Sequence, residues 1–184
     1  MRRMSLSKTI GNILSLDVSA SCTGWSVITG KGTVLKYGTI ITSPKLKTPA
    51  RLDQFRKELK LLLVRHKPAV VLLEDTFSGK FPAVVKLLAK FGGVAEQVIY
   101  EHCKACPCII NNKSVKAYFK TKNKEALFET VADLLGWDPA TFSYKKYNDV
   151  VDSIAQLMYY SDEVINRKKY RLECDYGYKF LYQQ

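Results

Sequence analysis

At 184 residues, 47% of them apolar, the chain is long enough for one compact domain with a sizeable core, and disorder over most of its length is excluded. It carries 29 Lys and Arg against 17 Asp and Glu, a formal net charge of +12, which implies an anionic partner, most often nucleic acid. No apolar run approaches the length of a membrane span, so a soluble intracellular, cytoplasmic protein is expected.

The chain opens with Arg2 and Arg3 before MSLSKTIGNILSL, but Lys8 and Asp17 leave no clean apolar stretch for a secretory leader. Residues 13–18 read as a buried strand carrying Asp17 near its end. Residues 24–29 read as a second strand with alternating apolar positions. Residues 33–40 read as a third, joined to the second by a Gly30–Lys31–Gly32 turn. Thr48 and Pro49 are expected as N-cap and first residue of a helix. Its Leu52, Phe55, Leu59 and Leu62 recur at helical spacing, and Lys67 and Pro68 stop it. Residues 69–74 are apolar until they too end on a carboxylate, as for a parallel strand buried on both faces. A helix over 82–102 follows, with Gly92 and Gly93 inside it, and then a short strand at 107–111.

Cys103, Cys106 and Cys108 beside His102 invite a zinc reading. His102 is adjacent to Cys103 and badly placed for a tetrahedral site, so free thiols are the expectation. With Cys22 and Cys174 the cysteines number five, without the spacing of a disulfide framework, which fits a reducing compartment. A lysine-rich segment spans 111–124. Helices are expected over 123–135, with Gly136 as its stop, and over 147–165. The stretch 166–184 is basic and aromatic without a clear period. The reading is α/β: a mixed central sheet with three antiparallel strands first, flanked by helices, over 1–165, followed by a basic aromatic extension over 166–184.

Asp17 and Glu74 end two different apolar strands, and polar residues at strand ends of α/β sheets face the functional crevice. Asp149 and Asp152 are three apart and share one face of a largely apolar helix, which Ala155 and Gln156 continue. Four carboxylates from three segments would repel one another if unpaired. Divalent cations resolve that repulsion, and oxygen-only ligands suit Mg2+ or Mn2+. In a basic chain the matching reaction is phosphodiester hydrolysis assisted by two metal ions. Singly, each acid has a simpler role: a turn cap for Asp17, a surface acid for Glu74 and for Asp75, a helix-start preference for Asp149, a lysine partner for Asp152.

The order of these motifs resembles the RuvC family of Holliday junction resolvases, on the RNase H-like fold. ILSLDVSASCTGWSVI (13–28) is similar to the family's first strand, acid and turn. VVLLEDTFSGKFPAVVKLLAKFGGVAEQV (70–98) is similar to its second acidic strand and the long helix after it, and NDVVDSIAQ (148–156) to its last helix with paired acids. The resemblance covers roughly 12–160. It implies that Asp17, Glu74, Asp149 and Asp152 are catalytic ligands for two Mg2+ ions, with Mn2+ able to substitute. It implies that Phe77 stacks on junction bases, and equally open is a core or lid role for that ring. SVKAYF (114–119) matches the segment carrying a basic residue near the scissile phosphate, so Lys116 inherits that catalytic role. Lys124 inherits a DNA contact, with Lys122 its rival because the intervening loop is shortened. Lys80, Lys113 and Lys120 complete the expected DNA contacts.

The resemblance also implies branched DNA, four-way junctions above all, as substrate. It implies a homodimer through the helix after the second strand, where Gly92, Gly93 and Ala95 permit close approach; packing within one chain explains those residues equally well. No glycine directly follows Asp17, the extension has no family counterpart, and the loop is short, which suggests a divergent phage or viral member. Cleavage of flaps or forks, or of RNA, stays open. An actin-like nucleotide-binding protein lacks the second phosphate loop it would need. A non-catalytic DNA-binding module would be expected to lack one of the acids, and all four are present.

Overall fold

The computed structural model describes residues 11–28, 34–75, 81–138 and 140–166. The 30–32 turn, Phe77, Lys80 and the 167–184 extension lie outside the described residues. The elements are β1 (Ile13–Asp17), β2 (Cys22–Ile28), β3 (Val34–Ile41), α1 (Thr48–His66), β4 (Val70–Glu74), α2 (Pro82–Cys103), β5 (Cys108–Ile110), α3 (Asn112–Tyr118), α4 (Lys124–Leu135) and α5 (Tyr144–Tyr159). A π-helical segment, Tyr160–Asn166, continues α5.

The strands form one mixed sheet in the order β3-β2-β1-β4-β5. β1, β2 and β3 pair antiparallel with one another, β4 pairs parallel with β1, and β5 parallel with β4. Strand alternation divides the core into two layers. Leu14, Leu16, Val27, Val71 and Leu73 pack with Phe55, Leu59, Phe91 and Val98 of α1 and α2. Ile13, Ile28, Val70 and Leu72 pack on the opposite face with Leu127, Val131, Val151, Ile154 and Leu157 of α4 and α5. Because β1 and β4 are covered on both sides, they run apolar up to the closing acid, with Ser15 the one polar residue before it. Full burial of each such aliphatic side chain contributes about 1.5–3 kcal/mol.

Several boundaries differ from the sequence reading. Lys47, not Thr48, is the N-cap of α1, and Thr48 is already helical; Pro49 still falls in the first turn, where its missing N–H has no intrahelical acceptor to lose. Gly92 and Gly93 do not interrupt α2. Residues 112–118 form a helix inside the lysine-rich segment, because the Asn111 side chain accepts from the Lys113 N–H and starts the turn. Asn123 likewise caps α4 through the Ala126 N–H, and Gly136 closes it at φ 66°. The last helix begins at Tyr144, three residues early, where Tyr144 packs edge-on against Phe128. Asp75 is no surface acid: it is partly buried, its N–H bonds the Ile110 carbonyl, and its Oδ1 is sealed from solvent. Cys22, Cys103, Cys106 and Cys108 form no disulfide. Among the described residues no helix is long and apolar enough to cross a membrane.

Candidate active site

Period-two alternation decides where the acids point. On β1, Ile13, Ser15 and Asp17 face α5. On β4, Val70, Leu72 and Glu74 do. Since Leu16 is paired with Leu73 in the parallel ladder, Asp17 and Glu74 emerge side by side at the carboxyl ends of adjacent strands. The Glu74 carboxylate is the strongest like charge acting on Asp17.

Helix α5 brings the other two. Gly24 on β2 lies opposite Asp17, and a Cβ at Gly24 would stand 1.9 Å from the Asp149 carbonyl oxygen. Only a glycine lets the second turn of α5 settle this deeply onto the strand. Burial pushes the Cys22 thiol up to about 11, with the neighbouring Asp149 carboxylate acting in the same direction. One turn on, Asp152 is 4% exposed and its Oδ2 receives the Lys124 ammonium at 2.5 Å.

The electrostatics are those of surplus negative charge in a poorly solvated cleft. Burial raises the Asp17 carboxyl well above its ordinary 3.8. Glu74 and then Asp152 push the same way, and Lys124 opposes them. Burial also raises Asp152, against the pull of Lys124. For Lys124 burial opposes the charge, but Asp17, Asp152 and Glu74 together prevail and hold the ammonium protonated above its usual range. One lysine thus faces at least three carboxylates.

Of the lysines named from the sequence, Lys124 is therefore the one in the acidic cluster, and Lys122 stands exposed in the loop before α4. Lys116 follows Asn112 by four residues on α3 and shares its face, and Asn112 donates to Glu74 at 2.6 Å. Lys113 and Lys120 are exposed. Sequence reasoning missed Asn112 and Gln156, which both bond Glu74, and Arg51. The Arg51 guanidinium, 9% exposed, reaches the Ala20 carbonyl and fixes the turn after Asp17 from α1. Ser19 closes that turn by bonding both the N–H and the carbonyl of Cys22. An arginine buried far along the chain gives no local signal of such a role. Phe81, the N-cap of α2, is 70% exposed, an aromatic the sequence reading passed over.

The donor set fits a hard divalent cation: four carboxylates, with neither imidazole nor thiolate among the acidic groups, and more negative charge than Lys124 balances. Among the described residues no three such side chains already close on one point. Lys124 holds one oxygen of Asp152, and amide groups hold both oxygens of Glu74, so these oxygens are partnered within the chain.

The family model for crossover junction endodeoxyribonuclease RuvC matches residues 13–128. The chain belongs to the RuvC family. It is similar to RuvC of Syntrophomonas wolfei, at 34% identity over 85 residues, a match covering 45% of this chain and 49% of that one. A longer match, to RuvC of Alkaliphilus metalliredigens, is 27% identical over 153 residues and covers 78% of this chain and 88% of the relative. The fold is that of Thermus thermophilus RuvC solved in complex with Holliday junction substrate, with a TM-score of 0.68 at 17% identity, covering 83% of this chain and 96% of that one. The Asp149–Asp152 pair lies beyond the residues matched by the family model.

Proposed function

We propose that this chain is a metal-dependent endodeoxyribonuclease that resolves four-way DNA junctions by paired symmetric incisions. The observation that carries the reading is the mutual charge effect of Asp17, Glu74 and Asp152, with Asp149 acting on Asp152, from β1, β4 and α5 in a chain of the RuvC family. These four carboxylates would hold Mg2+, or Mn2+ in its place, two ions to a site. Bound there, the ions supply an activated water and charge stabilisation at the leaving oxygen of the scissile phosphodiester.

The remaining chemistry belongs to the side chains. Asp17 and Glu74 sit on sheet rather than loop, so the ligands are held rigidly. Lys116 approaches the scissile phosphate from the face it shares with Asn112. Lys113, Lys120 and Lys122, all exposed, neutralise the DNA backbone. Phe77 stacks on a junction base and Lys80 meets the adjoining phosphates. Among the described residues outside the adjoining turns of α2, nothing lies within 4 Å of where a Cβ on Gly92 or Gly93 would stand, which supports a homodimer closed through α2; Ala95, by contrast, is buried in the chain's own core. A two-fold pair of sites cuts two strands symmetrically.

Digestion of a synthetic four-way junction with Mg2+, mapped on all four strands, tests the reading. Wild-type protein gives paired symmetric nicks with ligatable ends. Asp17→Asn gives none while binding the junction about as well. Cleavage by Asp17→Asn at the wild-type rate overturns the site, and unpaired cuts confined to flaps overturn the junction as substrate.

A further inference from the structure

A buried glutamine needs an account. Gln156 lies on the side of α5 that carries Asp152, in a stretch where Val151, Ile154, Ala155 and Leu157 are also buried, and it is 2% exposed. An amide in such surroundings is unfavourable unless its donors and acceptor are met. They are met in one direction. Ser15, on β1 and fully buried, donates its hydroxyl to Gln156 Oε1 at 2.8 Å. The Gln156 Nε2 donates to Glu74 Oε2 at 3.3 Å, and because an ionised carboxylate only accepts, this bond fixes which end of the amide is which, while the Ser15 hydroxyl holds the Oε1 end. The other carboxylate oxygen, Oε1, accepts from Asn112 Nδ2 at 2.6 Å. Asn112 is held there at some expense to itself, since its own Oδ1 is buried without a partner among the described residues. Turning that amide over would set oxygen against oxygen.

Both oxygens of Glu74 are thus gripped by amide donors from two different helices. A carboxylate oxygen has two lone-pair directions, so one amide bond on each leaves one direction free on each. Neither donor is charged. They orient Glu74 without neutralising it, unlike the ammonium on Asp152.

We propose that Gln156 and Asn112 are positioning residues, which clamp the Glu74 carboxylate in the orientation from which it binds a divalent cation, with Ser15 holding the oxygen end of the Gln156 amide in place. The inference rests on the reading of Glu74 as a cation ligand. Outer hydrogen bonds of this kind set ligand orientation, and losing one lowers metal affinity or activity about 10–100-fold.

The α5–sheet contact contains its own control. Ser153 on α5 meets Ser26 on β2 at 2.9 Å, an equally buried polar bond that touches no acid. If the amide network served only to seat the helix, Ser26→Ala and Gln156→Leu would behave alike.

The test uses Gln156→Leu, Ser15→Ala, Asn112→Ala and Ser26→Ala in the full chain, titrating Mn2+ into the metal-free protein by calorimetry and into the junction-cleavage assay. Expected is a rise of about tenfold or more in the Mn2+ needed for half-maximal binding and cutting by Gln156→Leu and Asn112→Ala, with junction binding unchanged. Ser15→Ala shifts it too, but adds nothing in a Gln156→Leu background, since both act through one amide. Ser26→Ala lowers melting temperature without moving the metal requirement. Should Gln156→Leu fail to fold, Asn112→Ala, at the rim of the site, carries the same prediction. Unchanged Mn2+ affinity in Asn112→Ala and Gln156→Leu, or an equal shift in Ser26→Ala, overturns the clamp. Glu74→Gln separates the two claims: if it is inactive while the clamp variants bind Mn2+ normally, Glu74 remains a ligand and only the clamp is wrong. If Glu74→Gln cuts and binds Mn2+ like wild type, the ligand assignment itself falls.

Discussion

Replacing Gly24 by alanine tests how the site is assembled, because it changes no functional group. Gly24 is the residue on β2 opposite Asp17, and the α5 backbone rests on it. A methyl group there would stand 1.9 Å from the Asp149 carbonyl oxygen, 2.2 Å from its carbon and 2.8 Å from the Val150 nitrogen. All three are backbone atoms, so no side chain can swing aside. Ordinary contact for a Cβ begins at 3.4 Å, and opening from 1.9 Å to 3.4 Å requires a 1.5 Å gain in separation between β2 and α5. The strand is tied on both sides by β1 and β3, so α5 is the element that moves, and it carries Asp149 and Asp152 away from Asp17 and Glu74.

Overpacking of this kind destabilises by about 1–3 kcal/mol. For a chain of this length each kcal/mol lowers the melting temperature by roughly 2–4 °C. A misplacement of about 1 Å in a catalytic constellation slows the reaction about 100-fold. Gly24→Ala is therefore expected to melt several degrees lower, to cut a four-way junction about two orders of magnitude more slowly under single-turnover conditions, and to retain junction binding, since the exposed lysines are untouched. Scanning calorimetry, cleavage kinetics and a gel shift in chelator read the three quantities. Wild-type cleavage and melting in Gly24→Ala would refute both the seating of α5 on β2 and the claim that this contact sets the spacing of the acids.

Two further outcomes follow from the charges. The folded-state pKa of Asp17 is raised, so its neutral form favours folding: that contribution is full below the ordinary 3.8 and is lost as pH rises through the raised value. Asp152 is shifted the same way. Metal-free protein should thus lose melting temperature with rising pH over that window; Asp17→Asn should flatten the curve, and a curve unchanged by Asp17→Asn would contradict the assignment. Lys124→Met leaves Asp152 buried without its cation. Removing one member of a fully buried pair costs about 3–5 kcal/mol. The Lys124 side chain is 45% exposed, which reduces the expectation to roughly 1–2 kcal/mol. Mg2+ should recover more stability in Lys124→Met than in wild type, and equal melting of the two metal-free proteins would sink the prediction.

How much of this was legible in the sequence depends on the range of the interaction that decides each feature. Strands β1 and β4 were legible because burial on both faces leaves an unbroken apolar run, and a carboxylate closing such a run stands out. The Asp149–Asp152 pair was legible because three-residue spacing fixes a shared helical face. Helix α3 was not: Asn111, Asn112, Lys113 and Ser114 read as loop by composition, and the cap that starts the helix is a single hydrogen bond from the Lys113 N–H to the Asn111 side chain. The start of α5 was misplaced because Tyr144 is recruited by Phe128 on α4, a tertiary contact with no local signature.

The functional geometry is the part that composition conceals most. Ser15 and Gln156 are 141 positions apart, and Gln156 and Glu74 are 82 apart. Nothing local to Gln156 distinguishes it from a surface glutamine, and Ser15 looks like an interruption in an apolar strand. Alternation supplies part of what is missing. Once β1 is known to show Ile13, Ser15 and Asp17 to α5, the small polar residues on that face, Ser15 on β1 and Ser26 on β2, become positions where a helix can come close and be held. Gly24 marks the point of closest approach, and the acids stand beside it. The acids alone identify a place where charge is concentrated. The glycine and serines beneath them account for why it is concentrated there, since they admit α5 to the depth at which carboxylates from a helix and from two strands feel one another.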